Sequence, residues 1–257
     1  MALLGDVERG LLAARDAAGI FTDFDGTLAN IVDDPEAALP LPGAADTLGA
    51  LNRRFSVVGV VSGRPGAFLE GHFGGRGIRL WGLYGLQQVI DGQVVEDDDV
   101  ARWRPVVEEV ATRADAETSG GMNVERKGAA VTLHFRTAPG AEDFVRRWAE
   151  AEAERTGLQL LHARKSYELR PPVERDKGTV IEAAASGLRA ACFVGDDQGD
   201  LACFDALDRL SRRGLHAVRV AVQSPESPPE LLARADVTVD GPDGALAWLK
   251  ALDSSES

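Results

Sequence analysis

The chain has 257 residues, 44% of them hydrophobic and 27% charged, a balance that lets a globular protein bury a core without disulfides or a structural metal. That length corresponds to about one and a half to two domains. Lysine and arginine number 28 against 41 acidic residues, and the net charge of −13 repels phosphate backbones and anionic headgroups, which argues against nucleic-acid and membrane partners. The two cysteines, Cys192 and Cys203, are too few for a disulfide framework and have no zinc-ligand companions, so a reducing cytoplasm is expected.

Residues 1–19 mix Leu3, Leu4, Leu11 and Leu12 with charged side chains and read as an amphipathic helix rather than a signal peptide. The longest apolar runs, such as 55–61, fall far short of the roughly 20 residues that cross a bilayer. Strand 19–24, helix 42–52, strand 56–61, helix 65–72 and strand 79–83 then alternate as βα units of a parallel sheet. Residues 87–95, broken by Asp91-Gly92, predict a hairpin. The rhythm changes next, with helix 103–119, one or two strands over 123–137, a charged helix over 141–156 and alternation over 158–170. Pro171-Pro172 ends this stretch, because neither proline can donate to a ladder.

Thereafter βα alternation resumes: helix 177–186, strand 190–195, helix 201–212, strand 217–222, helix 229–233, strand 236–239 and a helix from Gly244. Residues 253–257 are expected to be disordered. The fold class that follows is α/β, a doubly wound Rossmann-like parallel-sheet core of residues 1–100 and 172–257, interrupted by an inserted α+β cap of residues 101–171.

Asp23-Phe24-Asp25-Gly26-Thr27-Leu28 follows the first buried strand, so both carboxylates project beyond its carboxyl end, where open α/β sheets place their ligands. Two carboxylates one residue apart can divide into a metal-bound nucleophile and a proton donor. The structural alternative is a pair of exposed turn aspartates before Gly26.

This run resembles the first motif of haloacid dehalogenase-type phosphohydrolases, and three further motifs occur in order. Ser62-Gly63-Arg64 after the second strand resembles the second, whose hydroxyl and backbone N–H groups hold phosphate; Lys177 resembles the third; Gly195-Asp196-Asp197-Gln198-Gly199-Asp200 resembles the acidic fourth. The resemblance implies Asp23 as nucleophile, Asp25 as acid and base, and Ser62 and Lys177 as stabilisers of the transferring group. It also implies Mg²⁺ held by Asp23, the Asp25 carbonyl, Asp196 and, from behind, Asp200. Asp197 reads equally as a support for the metal or a helix cap. Each residue also has a bland role: Ser62 as a helix cap, Lys177 as a surface charge, 196–200 as a capped loop.

From Phe21 to about Asp240 the chain further resembles trehalose-6-phosphate phosphatases, through Ile31-Val32-Asp33-Asp34-Pro35, Val124-Glu125-Arg126-Lys127, His134-Phe135-Arg136 and Tyr167-Glu168-Leu169-Arg170-Pro171. By this resemblance Glu125, Lys127, Arg136 and Glu168 contact a disaccharide; cross-strand charge pairing is their structural alternative, and His134 is expected only to pack or pair within its strand. Where the family has Gly-x-His-Gly-x-Glu, this chain has Gly82-Leu83-Tyr84-Gly85-Leu86-Gln87, with Gln87 in a sugar-contacting place. Gln198 and Gly199 also depart from the family's fourth motif, and Arg164 stands where lysine is common. The implied activity is hydrolysis of trehalose 6-phosphate, with a functional link to a trehalose-phosphate synthase. The alternatives are a phosphatase of another glycosyl or pseudo-disaccharide phosphate, a phosphoryl transferase, and a non-catalytic sugar-phosphate sensor.

Overall fold

Val57–Val61 contains nothing but valine and glycine, too apolar to face water on either side, and it forms a strand (β2) buried along its whole length. The same holds for Ala18–Thr22 (β1) and Ala190–Gly195 (β10). In this computed structural model, which describes residues 5–32, 37–117, 123–163 and 165–255, these three strands lie side by side at the centre of an eight-stranded sheet. Leu3, Leu4, the Asp33-Asp34-Pro35 part of the run after the first motif, Ser119 and Arg164 lie outside the described residues. The chain divides into two compact units, Met1–Val94 with Arg175–Ser257, and Val95–Glu174.

In the first unit the helices are Asp6–Ala13 (α1), Ala44–Asn52 (α2) and Gly66–Phe73 (α3), and the next strands are Arg79–Gly82 (β3), Gln87–Ile90 (β4) and Gln93–Glu96 (β5). The chain returns to the same unit after the insertion with Lys177–Ala184 (α7), β10, Leu201–Ser211 (α8), His216–Gln223 (β11), Pro229–Arg234 (α9), Val237–Asp240 (β12) and Gly241–Ser254 (α10). The sheet order is β12-β11-β10-β1-β2-β3-β4-β5, parallel from β12 to β3 and antiparallel from β3 to β4. Asp91 and Gly92 both have positive φ, the conformation a two-residue hairpin turn needs.

Alternate residues of each central strand enter opposite cores. Ile20, Val58, Val60, Cys192 and Val194 pack with Leu48, Phe73 and Leu249 on one face. Phe21, Val61 and Phe193 pack with Ile181, Phe204 and Leu207 on the other. A one-residue slip would exchange side chains of different size between two close-packed cores, putting Phe21 and Phe193 where Ile20 and Cys192 fit, so the register, and the position of each strand's carboxyl end, is firmly held. β1 has β2 on one side and β10 on the other, which is the switch point where doubly wound sheets open a crevice.

The second unit holds a four-residue helix, Asp98–Ala101 (α4), that the periodicity missed, then Arg104–Glu117 (α5), Asn123–Arg126 (β6), Val131–His134 (β7), Glu142–Thr156 (α6), Gln159–Ala163 (β8) and Ser166–Arg170 (β9). Its antiparallel sheet runs β6-β7-β9-β8. Val131, Leu133, Tyr167 and Leu169 pack on Val107 and Val110 of α5 and Val145 of α6. The alternating residues Glu125, Thr132 and Glu168 form a polar row across the opposite face.

Two terminal expectations need correction. The first helix stops at Ala13, a 3₁₀ turn spans Arg15–Ala17 and β1 begins at Ala18, because the apolar residues from there belong to the sheet. At the other end Asp253 and Ser254 are helical rather than disordered, and Arg54 pairs with Asp253 at 3.6 Å. Among the described residues no helix is long and apolar enough to cross a membrane.

Candidate active site

Asp23 continues β1 by one residue, its N–H donating to the Val194 carbonyl (2.9 Å), and its side chain is buried beyond the strand end. Phe24 turns into the core and fastens the following loop, with the Leu28 N–H donating to the Phe24 carbonyl (2.8 Å). At Gly26, φ is +75° and an added Cβ would overlap the Asp196 carboxylate, so only glycine lets the two loops close on each other.

The loop after β10 is built around Asp200, which is fully buried. One of its carboxylate oxygens accepts from the N–H groups of Asp196 (2.8 Å) and Asp197 (3.1 Å); the other accepts from Lys177 Nζ (2.8 Å). Asp197 accepts from the Gly199 N–H (2.9 Å), the helix-cap role open to it from sequence. Lys177 begins α7, whose N-terminus is fixed by a capping box between Asp176 and Thr179. Its ammonium bridges Asp200 and Asp23, the latter at 3.0 Å.

These groups strongly perturb one another. Burial pushes the Asp23 carboxyl well above its ordinary range, opposed by Lys177 and reinforced by Asp200, Asp197 and Asp196. Burial likewise pushes Asp200 up to about 6, again opposed by Lys177. Burial alone would favour neutral Lys177, but Asp200 and Asp23 overcome it and hold the ammonium well above its usual range. One lysine against this many carboxylates leaves a buried excess of negative charge. Carboxylate oxygens of Asp23, Asp197 and Asp200 lie within 4.8 Å of one another, a hard-oxygen donor set of the kind that suits a divalent cation. Asp196, expected as a ligand, is not among these three, and its carboxylate lies against Gly26.

Asp25 points elsewhere. Its two oxygens accept from Arg64 Nη2 (2.6 Å) and Nε (2.7 Å) in a bidentate pair. Arg64 leaves the end of β2 just after the buried Ser62, whose Oγ accepts from the Arg64 N–H (3.2 Å). Gly63 is overlaid by the ring of Tyr84, whose Cζ lies 2.6 Å from where a Cβ would stand. That ring also lies 6.0 Å from Lys177 Nζ, and both Leu83 and Tyr84 hold positive φ, which is strained for side chains of their size. Gln87, expected to face sugar, is buried with its Oε1 accepting from the Gly66 N–H at the start of α3 (2.7 Å).

In the second unit Lys127 Nζ meets Glu168 Oε2 (2.9 Å) and Glu125 (3.7 Å), Thr132 Oγ1 donates to Glu168 (3.0 Å), and His134 Nε2 pairs with Glu125 (2.8 Å). Glu168 is 2% exposed, and among the described residues its Oε1 has no hydrogen-bond partner. Arg136 lies in the turn after β7. Thus Asp23, Lys177, Asp197 and Asp200 cluster in one unit, Asp25 and Arg64 pair beside them, and Glu125, Lys127 and Glu168 cluster in the other. The Arg64–Asp25 pair and the Tyr84 lid on Gly63 carry no signature in residue spacing.

The sequence profile of the trehalose-phosphatase family matches residues 21–238. The chain belongs to the trehalose-phosphatase family. It is 38% identical over 209 residues to a trehalose-phosphate phosphatase of Mycobacterium avium, a match covering 76% of this chain and 52% of that protein. The chain therefore spans about half the length of the curated relatives it matches. Among solved structures it superimposes on a trehalose-6-phosphate phosphatase related protein with a TM-score of 0.75 at 25% identity, covering 91% of this chain and 96% of the other. The fold is also that of the C-terminal domain of Candida albicans trehalose-6-phosphate phosphatase, with a TM-score of 0.77 at 22% identity, covering 97% and 96%. The core is thus the Rossmann-like fold of haloacid dehalogenase-type hydrolases, and the matched span of the trehalose-phosphatase family contains every site residue named above.

Proposed function

We propose that the chain is a phosphomonoesterase that hydrolyses trehalose 6-phosphate to trehalose and phosphate through a phosphorylated Asp23. The observation that carries this reading is the buried Asp23 carboxylate at the switch point of the sheet, held 3.0 Å from Lys177 with a second carboxyl, Asp25, two residues on. An oxygen of Asp23 forms a bond to phosphorus as the bond from phosphorus to the sugar oxygen breaks. Asp25 gives its proton to that departing oxygen, then takes one from the water that attacks the aspartyl phosphate, which returns Asp23 to a carboxylate. Lys177 and the Ser62 hydroxyl, with the Gly63 N–H, stabilise charge on the transferring group. Mg²⁺ is the cation we assign to Asp23 and the 196–200 loop, with the Asp25 carbonyl; when bound it would neutralise phosphoryl oxygens.

The Val95–Glu174 unit serves in this reading as the cap, with Glu125, Lys127, Arg136 and Glu168 binding sugar hydroxyls. What supports this is the polar row on one sheet face, where a buried glutamate keeps an unfilled acceptor oxygen. The free, buried Cys192 and Cys203 suit a cytoplasmic enzyme, and a trehalose-phosphate synthase is the partner reaction that would supply its substrate.

Phosphate release from a panel of sugar phosphates tests the assignment. Preference for trehalose 6-phosphate over glucose 6-phosphate is expected, and equal rates would remove the disaccharide. Tyr84, whose ring lies 6.0 Å from Lys177 Nζ, favours as a second reading a different glycosyl or pseudo-disaccharide phosphate, for which a Tyr84→His change would shift preference. A sensor that binds sugar phosphate and Mg²⁺ without releasing phosphate would be recognised by that lack of turnover.

A further inference from the structure

The acid and base of the proposed reaction is not held by its own loop. Asp25 is more than a third exposed as a side chain and stands in a turn after β1, and among the described residues no backbone N–H donates to its carboxylate to choose between its open staggered rotamers. What chooses is Arg64, 39 residues on, which occupies both carboxylate oxygens at 2.6 and 2.7 Å in a fork-to-fork geometry.

Arg64 is itself braced. Its guanidinium carbon lies 5.0 Å from the ring centre of Phe68 on α3 and 5.9 Å from that of Phe24, the residue between the two carboxylates of the first motif. Its backbone is pinned on both sides, the N–H to Ser62 Oγ (3.2 Å) and the carbonyl accepting from the Leu83 N–H (3.0 Å). Only a planar fork can meet two oxygens while lying on a ring, which a lysine ammonium cannot do.

We propose that Arg64 is a positioning residue for Asp25: it sets the direction in which that carboxyl gives and takes its proton, rather than binding the phosphoryl group. This rests on the phosphatase reading above. In the first step the Asp23–phosphorus bond forms, the phosphorus–alcohol bond breaks, and the proton of Asp25 goes to the alcohol oxygen. In the second the water oxygen bonds to phosphorus, the Asp23–phosphorus bond breaks, and a water proton returns to Asp25. A carboxyl that carries a proton keeps one oxygen as an acceptor, so it pivots about a single Arg64 contact. Giving that proton to the departing alcohol oxygen rebuilds the second contact, and the proton taken from water releases it again.

The test separates leaving groups. A sugar alkoxide needs a proton to depart and 4-nitrophenolate does not, so single-turnover release is followed by quench-flow with trehalose 6-phosphate and with 4-nitrophenyl phosphate. For Arg64→Gln, sugar release is expected to slow by about 10- to 100-fold, the loss typical of a misplaced reacting group, while nitrophenol release changes less than about threefold and half-saturation stays put. Arg64→Lys, which keeps the charge and loses the fork, falls between. Parallel loss on both substrates would mean that Arg64 acts on the phosphoryl group, and no loss on either would mean that Asp25 holds its own direction; each overturns the proposal. If Arg64→Gln does not fold, the same ratio is read from Arg64→Lys. Failure of the functional reading looks different, because it appears in the wild-type protein as no sugar release; the ratio is then read with an alkyl phosphate it does cleave, and a protein that cleaves none overturns both.

Discussion

Replacing Lys177 by methionine keeps the side-chain length and removes the ammonium that bridges Asp23 and Asp200 at 3.0 and 2.8 Å. Both acidic partners and the lysine are at most 4% exposed, so water does not take over the lost role. Breaking one partner out of a buried ionic cluster costs about 3–5 kcal/mol, which for a chain of this size is a fall in melting temperature of about 6–20 °C. The cost has a pH signature. Burial raises the Asp23 and Asp200 carboxyls, so the stability tied to their protonated forms is complete below the ordinary carboxylate range and drains away as pH climbs through their raised values, about 6 for Asp200. Lys177→Met should therefore lose most at pH 7.5 and far less at pH 5, where the carboxyls left behind are largely neutral. Urea unfolding of both proteins at the two pH values, with chelator present, measures this. Equal losses at the two pH values, or none at pH 7.5, would refute the claim that buried ionised carboxylates depend on this ammonium.

Gly26→Ala places a methyl group on the Asp196 carboxylate at a left-handed φ; a destabilisation of about 1–3 kcal/mol with loss of most turnover is expected from denaturant melts and phosphate release. Chelation should abolish hydrolysis. Mg²⁺ at a hundredfold excess over its dissociation constant should raise stability by about 2.7 kcal/mol at pH 7.5 and by less at pH 5.5, where protons compete for the raised carboxyls, as read by thermal melts. Glu168→Gln should raise KM for trehalose 6-phosphate at least tenfold and leave 4-nitrophenyl phosphate turnover within about twofold, since only the sugar would contact that glutamate.

The parts of this fold that could be read along the chain are those where burial leaves little choice. β10 occupies Ala190–Gly195, as its apolar run dictates, because alternate residues enter opposite cores. The carboxylates after β1 and β10 meet because parallel neighbours in register end at the same edge. Contacts that depend on side-chain reach were hidden. Arg64 finds Asp25 across 39 residues with no periodicity to announce it, and Gln87 spends its carbonyl on the first turn of α3 instead of facing outward. The acidic stretch Asp98–Ala101 folds as a single helical turn whose only buried side chain is Val100, too little pattern to register. Helix ends were also hard to place: α10 runs to Ser254, where an ion pair from Arg54 to Asp253 adds support that composition alone does not reveal.

The central claim is that phosphate passes through the Asp23 side chain, and acid quench of the enzyme during turnover followed by peptide mass spectrometry tests it most directly. A phosphoryl adduct on the peptide that contains Asp23, absent from Asp23→Asn, is the predicted result. Sustained phosphate release with no adduct at any quench time, or an adduct that persists in Asp23→Asn, would contradict it.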